Sequence, residues 1–164
     1  MGITAENLVT KWGITREEQD QLAVDSHRKA AAAIAEGRFK SQIVPIVKQT
    51  RKGEVLVDTD EQPGNANPDK IPTLKPAFAK DGSITAANAS SISDGASALV
   101  LMKESKAREL GLKPLARIVG HATQSQDPSE FTIAPIGALS NLFARTGWSA
   151  DSVDLYEINE AFAM

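Results

Sequence analysis

Cysteine is absent from this 164-residue sequence. Its absence removes disulfides, thiolate nucleophiles and cysteine-bearing metal sites at one stroke. Histidine is almost absent as well: His27 and His121 stand far apart without ligand spacing, and no metal site is expected. Positive charge is not in excess. The net charge of −3 gives no basic footprint for a nucleic-acid partner. Long apolar runs are missing too. The best of them, Ala96-Ser97-Ala98-Leu99-Val100-Leu101-Met102, is far too short to span a bilayer. Residues 1–11 lack the basic, apolar and small-residue zones of a signal peptide, so a cytoplasmic setting is the default expectation. What is present is ordinary for a globular protein: 41% hydrophobic and 24% charged residues.

Hydrophobic spacing and punctuation predict a mixed α/β chain. Thr15-Arg16-Glu17-Glu18 has the form of a capping box, in which hydroxyl and carboxylate satisfy each other's backbone donors. It predicts a helix from Arg16 to about Glu36, with an alanine-rich buried face and Gly37 just past its end. A shorter helix is expected over Ala5 to Lys11. Ile43 to Val47 reads as a strand whose Pro45 places it at an edge or end, and Glu54 to Asp58 as its neighbour across Lys52-Gly53. Thr59 to Ala77 holds five residues of proline or glycine type (Pro63, Gly64, Pro68, Pro72, Pro76) and reads as a long loop, functional or disordered. Further on, Leu99 to Leu101 suggests a strand buried on both faces. A short helix runs from Glu104 to Leu110, Leu115 to His121 is read as a strand, a helix extends from near Pro135 to Gly147, and Val153 to Ile158 is a last strand.

Four segments carry more than secondary structure: Met1-Gly2-Ile3-Thr4-Ala5-Glu6-Asn7, Leu74-Lys75-Pro76-Ala77-Phe78, Asp81 through Ser90 continuing to Asp94-Gly95-Ala96, and Asn159-Glu160-Ala161-Phe162-Ala163. Together, in this order and spacing, they resemble the thiolase family in its acetyl-CoA acetyltransferase branch. The resemblance covers essentially the whole chain. It implies a partial thiolase-like α/β fold: residues 1–92 as the end of the lid-like loop domain, 93–111 as the last strand and helix of the first core repeat, and 112–164 as the opening of the second. It also implies that the acylated cysteine lies in sequence preceding Met1, and that the catalytic histidine and second cysteine lie beyond Met164. The isolated chain is therefore expected to be inactive.

The same resemblance assigns roles residue by residue. Thiolases run a reversible Claisen condensation, two acetyl-CoA giving acetoacetyl-CoA and CoA, and negative charge builds on a thioester oxygen. Donors aimed at that oxygen lower the barrier. By motif, Asn159 is the catalytic residue that fixes a water in one such oxyanion hole, and Glu160 is structural. Ser90 is the coenzyme A contact through its hydroxyl. Phe78 is an aromatic neighbour of the coenzyme, Met1 and Ile92 are apolar lining, Ala161 and Phe162 line the acyl or pantetheine channel, and Lys70 meets the nucleotide end. Coenzyme A and acetyl-CoA are thus the expected substrates, fatty acid metabolism the expected setting, and a homo-oligomer or association with thiolase subunits the expected assembly.

Plainer readings of the residues stay open. Asn159 and Ser90 suit ordinary turns, Phe162 a core aromatic, Lys70 a solvated loop cation, and the chain a non-catalytic coenzyme A-binding or subunit-interaction protein. The chain also departs from its relatives. Pro63 and Lys70 stand where bacterial biosynthetic thiolases carry arginine and serine, and Asn65-Ala66-Asn67 replaces the mitochondrial Arg-Val-Asp. His27 occupies the tyrosine position of potassium-binding relatives, while Ala86, Ala87 and Ala89 are kept; no bound potassium is expected.

Overall fold

The computed structural model describes residues 1–164. It divides into two compact units, Met1–Ser90 with Glu160–Met164, and Ser91–Asn159.

In the first unit, helix α1 spans Gly2–Trp12, starting a turn earlier than its spacing suggested, and buries Ala5, Leu8 and Val9 on one stripe. Helix α2, Arg16–Ala35, begins at the expected capping box. The Thr15 N–H donates to Glu18 Oε2 at 2.8 Å, and the Glu18 N–H returns to Thr15 Oγ1 at 3.2 Å. The alanine-rich face was expected to sit under a closely packed neighbour. It is covered only in part: α2 buries Gln19, Asp20 and Ala23 near its start, while along the expected face Ala30, Ala33 and Ile34 are half-buried and Leu22 and Ser26 exposed. Its fully buried residues fall on the first turns, and two of the three are polar.

After a 3-10 turn at Lys40–Gln42, strands β1 (Ile46–Thr50) and β2 (Gly53–Val57) form an antiparallel hairpin with Ile46 opposite Val57 and Thr50 opposite Gly53. Pro45 stands immediately before β1, at the strand end where a residue without an N–H is tolerated. The long loop holds one helical turn, α3 (Gln62–Asn65), and a 3-10 stretch at Pro68–Thr73 that buries Ile71.

In the second unit, α4 (Glu104–Glu109) carries the Glu104–Arg108 and Lys106–Glu109 ion pairs. Helix α5 (Ala134–Thr146) follows a 3-10 segment at Pro128–Ile133, has proline in its first turn, and stops at Gly147, whose φ of 73° is left-handed. A short 3-10 turn occupies Ala150–Ser152.

Three expected strands are not formed. Leu99 to Leu101, Leu115 to His121 and Val153 to Ile158 run without ladder partners, and the sole sheet has two strands. Leu99, Val100 and Leu155 are 84%, 86% and 89% exposed rather than buried. A β run needs both a neighbouring strand and a covering layer, and none of the three has a neighbouring strand within this chain. The middle run instead lies against α5: Arg145 Nη1 donates to the His121 carbonyl at 3.0 Å, and Asn141 Nδ2 to Gln124 Oε1 at 3.2 Å.

Two predictions follow from these features. Unpaired apolar segments invite edge-to-edge association, so the purified chain is expected to sediment as oligomers that loosen on dilution. A monomer with a sharp, concentration-independent thermal transition would contradict this. The second concerns Glu18, whose carboxyl the Thr15 backbone and hydroxyl donors hold below its ordinary value. A depressed folded value means the cap contributes fully above the unfolded pKa, about 4.3, and is lost as pH falls through the folded one. Glu18→Gln keeps an acceptor but does not protonate, so its acid profile of helicity by circular dichroism should be flatter than the parent's. Superimposable profiles would refute the role given to the carboxylate.

Candidate functional site

The site is built from the small-residue turn after Gly82. Ile84 and Thr85 are fully buried, and Ala5, Val9 and Ile84 form a core cluster. Burying a side chain such as Ile84 contributes about 1.5–3 kcal/mol. Glu6 on α1 fixes the approach to the turn. Its carboxylate accepts from the Ser83 N–H at 3.0 Å, the Ser83 hydroxyl at 3.2 Å and the Ile84 N–H at 2.9 Å. Gln19, also fully buried, donates through Nε2 to Ser83 Oγ at 2.9 Å and to the Thr15 carbonyl at 3.2 Å.

The turn itself is held by side chains. Asn88 Oδ1 accepts from the Thr85 N–H at 2.6 Å, and Thr85 Oγ1 accepts from the Ala87 N–H at 3.2 Å. Asn88 Nδ2 donates to the Ser83 carbonyl at 3.0 Å and to Asp20 Oδ1 at 3.1 Å. The other Asp20 oxygen takes Arg16 Nε at 2.8 Å, and Arg16 Nη2 reaches the carbonyls of Ile71 and Leu74 at 3.0 and 3.1 Å. The buried carboxylate is thereby paired and hydrogen-bonded, the condition under which burial is tolerated.

Against this turn lies the end of the chain. The Ser90 N–H donates to the Ala161 carbonyl at 3.0 Å and the Ala163 N–H to the Asn88 carbonyl at 2.8 Å, making Ala89 and Phe162 an antiparallel bridge pair. Ala89, Phe162 and Met164 pack on the core cluster. Phe162 meets Phe78 edge to face, ring centroids 6.4 Å apart and planes at 81°, a favoured aromatic geometry.

Of the residues singled out from sequence, Ser90, Ala161, Phe162 and Phe78 are thus gathered in one place. Ser90 is exposed and its hydroxyl makes no hydrogen bond within the chain. Met1 is exposed and precedes Gly2, which Phe78 covers so closely that a Cβ there would stand 2.1 Å from the ring. Lys70 lies exposed in the 3-10 stretch of the same unit. Ile92 and Asn159 belong to the second unit, both exposed; Asn159 immediately precedes the docked segment in sequence. Glu160, assigned a structural task, has one long contact, Ser26 Oγ to Oε2 at 3.4 Å. His27 is half-buried on α2 and His121 offers only its carbonyl to Arg145.

Sequence reasoning missed Glu6, Gln19, Asp20 and the side chain of Asn88. One signal was available for Asp20: it lies three residues before Ala23, on the stripe expected to be buried, and four after Arg16.

The thiolase N-terminal domain profile matches residues 1–105 and the thiolase C-terminal domain profile residues 112–164, and the chain belongs to the thiolase family. Among curated relatives it is 53% identical to an acetyl-CoA acetyltransferase of Pseudomonas aeruginosa and 51% identical to one of Rhizobium meliloti, each over 99% of this chain and 42% of the relative. The chain therefore spans about two-fifths of the length of the relatives it matches. Among solved structures, the Bacillus anthracis acetyl-CoA acetyltransferase superposes with a TM-score of 0.90 at 51% identity, covering 99% of this chain and 42% of that one. The Acat5 thiolase of Ascaris suum, solved in complex with coenzyme A, gives 0.88 at 41% identity, covering 99% and 41%. The fold is accordingly a partial thiolase fold. No helix is long and apolar enough to cross a membrane.

The close cover of Gly2 by Phe78 gives a direct test. Gly2→Ala must displace the Phe78 ring, and overpacking of this kind costs about 1–3 kcal/mol. Denaturant unfolding should register that loss, and the ring-current shifts that Phe78 and Phe162 impose on each other should collapse. Unchanged stability and unchanged shifts would mean that the two rings do not meet as described.

Proposed function

We propose that this chain furnishes the coenzyme-facing wall of a thiolase-type acetyl-CoA C-acetyltransferase and does not turn over alone. The observation that supports this reading is the Ala89–Phe162 bridge, which seats the Ala161-Phe162 segment directly on the Ser90 turn. Two motifs separated by most of the second unit are thereby joined by backbone hydrogen bonds.

In this reading the free Ser90 hydroxyl donates to or accepts from an amide of the pantetheine arm. Phe78 and Met1 offer apolar contact beside it, with Ile92 contributing from the chain just beyond the turn, and Lys70 attracts the phosphates. Ala161 and Phe162 border the acyl channel. Asn159 holds a water whose proton faces the thioester oxygen as negative charge grows there; an amide suits this because it does not titrate near neutral pH. The attacking sulfur must come from outside these 164 residues, since the sequence has no cysteine, and in this reading the proton-transferring groups come from there as well. Short acyl groups, a cytoplasmic fatty-acid pathway and assembly with like subunits complete the proposal; no metal is needed for the role. The domain limits proposed are 1–92 for the loop domain, 93–111 for the end of the first core repeat and 112–164 for the start of the second.

The missing sulfur also favours a second reading, a protein that binds coenzyme A or a thiolase subunit without chemistry. Calorimetry with coenzyme A and isotope exchange between acetyl-CoA and CoA separate the cases. The purified chain is expected to bind coenzyme A, to lose binding at least about tenfold on Ser90→Trp through steric blockade, and to catalyse no exchange. Exchange that disappears on changing Asn159 would overturn the claim of inactivity, and absence of coenzyme A binding would overturn the wall.

A further inference from the structure

Asp20 and Asn88 are 6% and 3% exposed, lie 68 positions apart, and have no part in the ligand contacts proposed above. Their chemistry is tightly specified. Asp20 receives Arg16 Nε on one oxygen and Asn88 Nδ2 on the other, so the position calls for a group that accepts twice and donates nothing. Asn88 spends its carbonyl on the Thr85 N–H and its amide on Asp20 and the Ser83 carbonyl. The neighbours dictate that orientation, since Thr85 offers a donor and Ser83 an acceptor. The backbone of Asn88 does the rest. Its carbonyl accepts the Ala163 N–H at 2.8 Å, the next residue is the bridge partner of Phe162, and the one after is Ser90.

We propose that Asp20, acting through Asn88, is a positioning residue: it sets the peptide plane that carries the Glu160–Met164 segment and aims the Ser90 hydroxyl at its ligand. The claim about the hydroxyl rests on the coenzyme reading of Ser90. The claim about the docked segment does not. Arg16 extends the same control to the loop before Phe78, because its guanidinium holds the Asp20 carboxylate and the Ile71 and Leu74 carbonyls together. Asparagine at position 20 would present one donor toward a donor and break one of the two arms.

Amide hydrogen exchange, followed by NMR on the 164-residue chain, tests this residue by residue. Asp20→Asn should speed exchange at Ser90 and Ala163 about tenfold, the scale of one charge-assisted hydrogen bond. Leu8 and Val9 amides in α1 should keep their rates. The exchanged pair, Asp20→Asn with Asn88→Asp, should recover part of the protection. There an amide at position 20 donates to a carboxylate at 88, which still accepts from Thr85 but no longer donates to Ser83. Coenzyme A affinity should follow the same order of parent, exchanged pair and single variant. Unchanged Ser90 and Ala163 rates in Asp20→Asn, a uniform loss of protection that includes α1, or no recovery in the exchanged pair would each overturn the proposal. Failure of the parent chain to bind coenzyme A would instead remove the ligand reading, while the exchange rates still decide the role of Asp20.

Discussion

One buried hydrogen bond, Asn88 Nδ2 to Asp20 Oδ1, ties the small-residue turn to the first turns of α2. Everything assembled at the site passes through it or beside it. Glu6 and Gln19 bring the chain into the turn, Thr85 and Asn88 close it, and the carbonyl of Asn88 and the N–H of Ser90 then hold the Ala161–Ala163 segment. The apolar core beneath is small: Ala5, Val9 and Ile84, with Ala89, Phe162 and Met164 against it. A core of that size specifies direction poorly, so the polar ties decide where the segment docks. Buried polar groups do this only when fully satisfied, and those around the turn are.

The helices were legible because helix ends announce themselves locally. Thr15 with Glu18, and Gly147 after Thr146, mark boundaries that need no tertiary partner. Strands were not legible in the same way. The β1–β2 hairpin formed because its partner is adjacent in sequence across Lys52-Gly53. Leu99 to Leu101 has an equally convincing β composition but no neighbour within this chain, and it remains extended and exposed. Composition reports what a segment prefers; pairing depends on what else is present.

The site divides along the same line. Motif resemblance singled out Ser90, Phe78, Ala161 and Phe162, and these four meet. Nothing local in the sequence said why they should. The answer lies in Asp20, Gln19 and Glu6, residues that read as ordinary helix surface until helices and turn are seen together. Long-range polar contacts of this kind leave only a faint trace: a carboxylate three residues from Ala23 on a stripe that the pattern assigned to the interior.

The most direct measurement is the proton NMR contact between the α-protons of Ala89 and Phe162. They form the non-hydrogen-bonded pair of an antiparallel bridge, where opposing α-carbons approach to about 4.5 Å. A strong cross-strand Overhauser effect between them is predicted. Its absence, in a chain whose α1 and α2 amides are protected, would contradict the docking of the Ala161–Ala163 segment on the Ser90 turn.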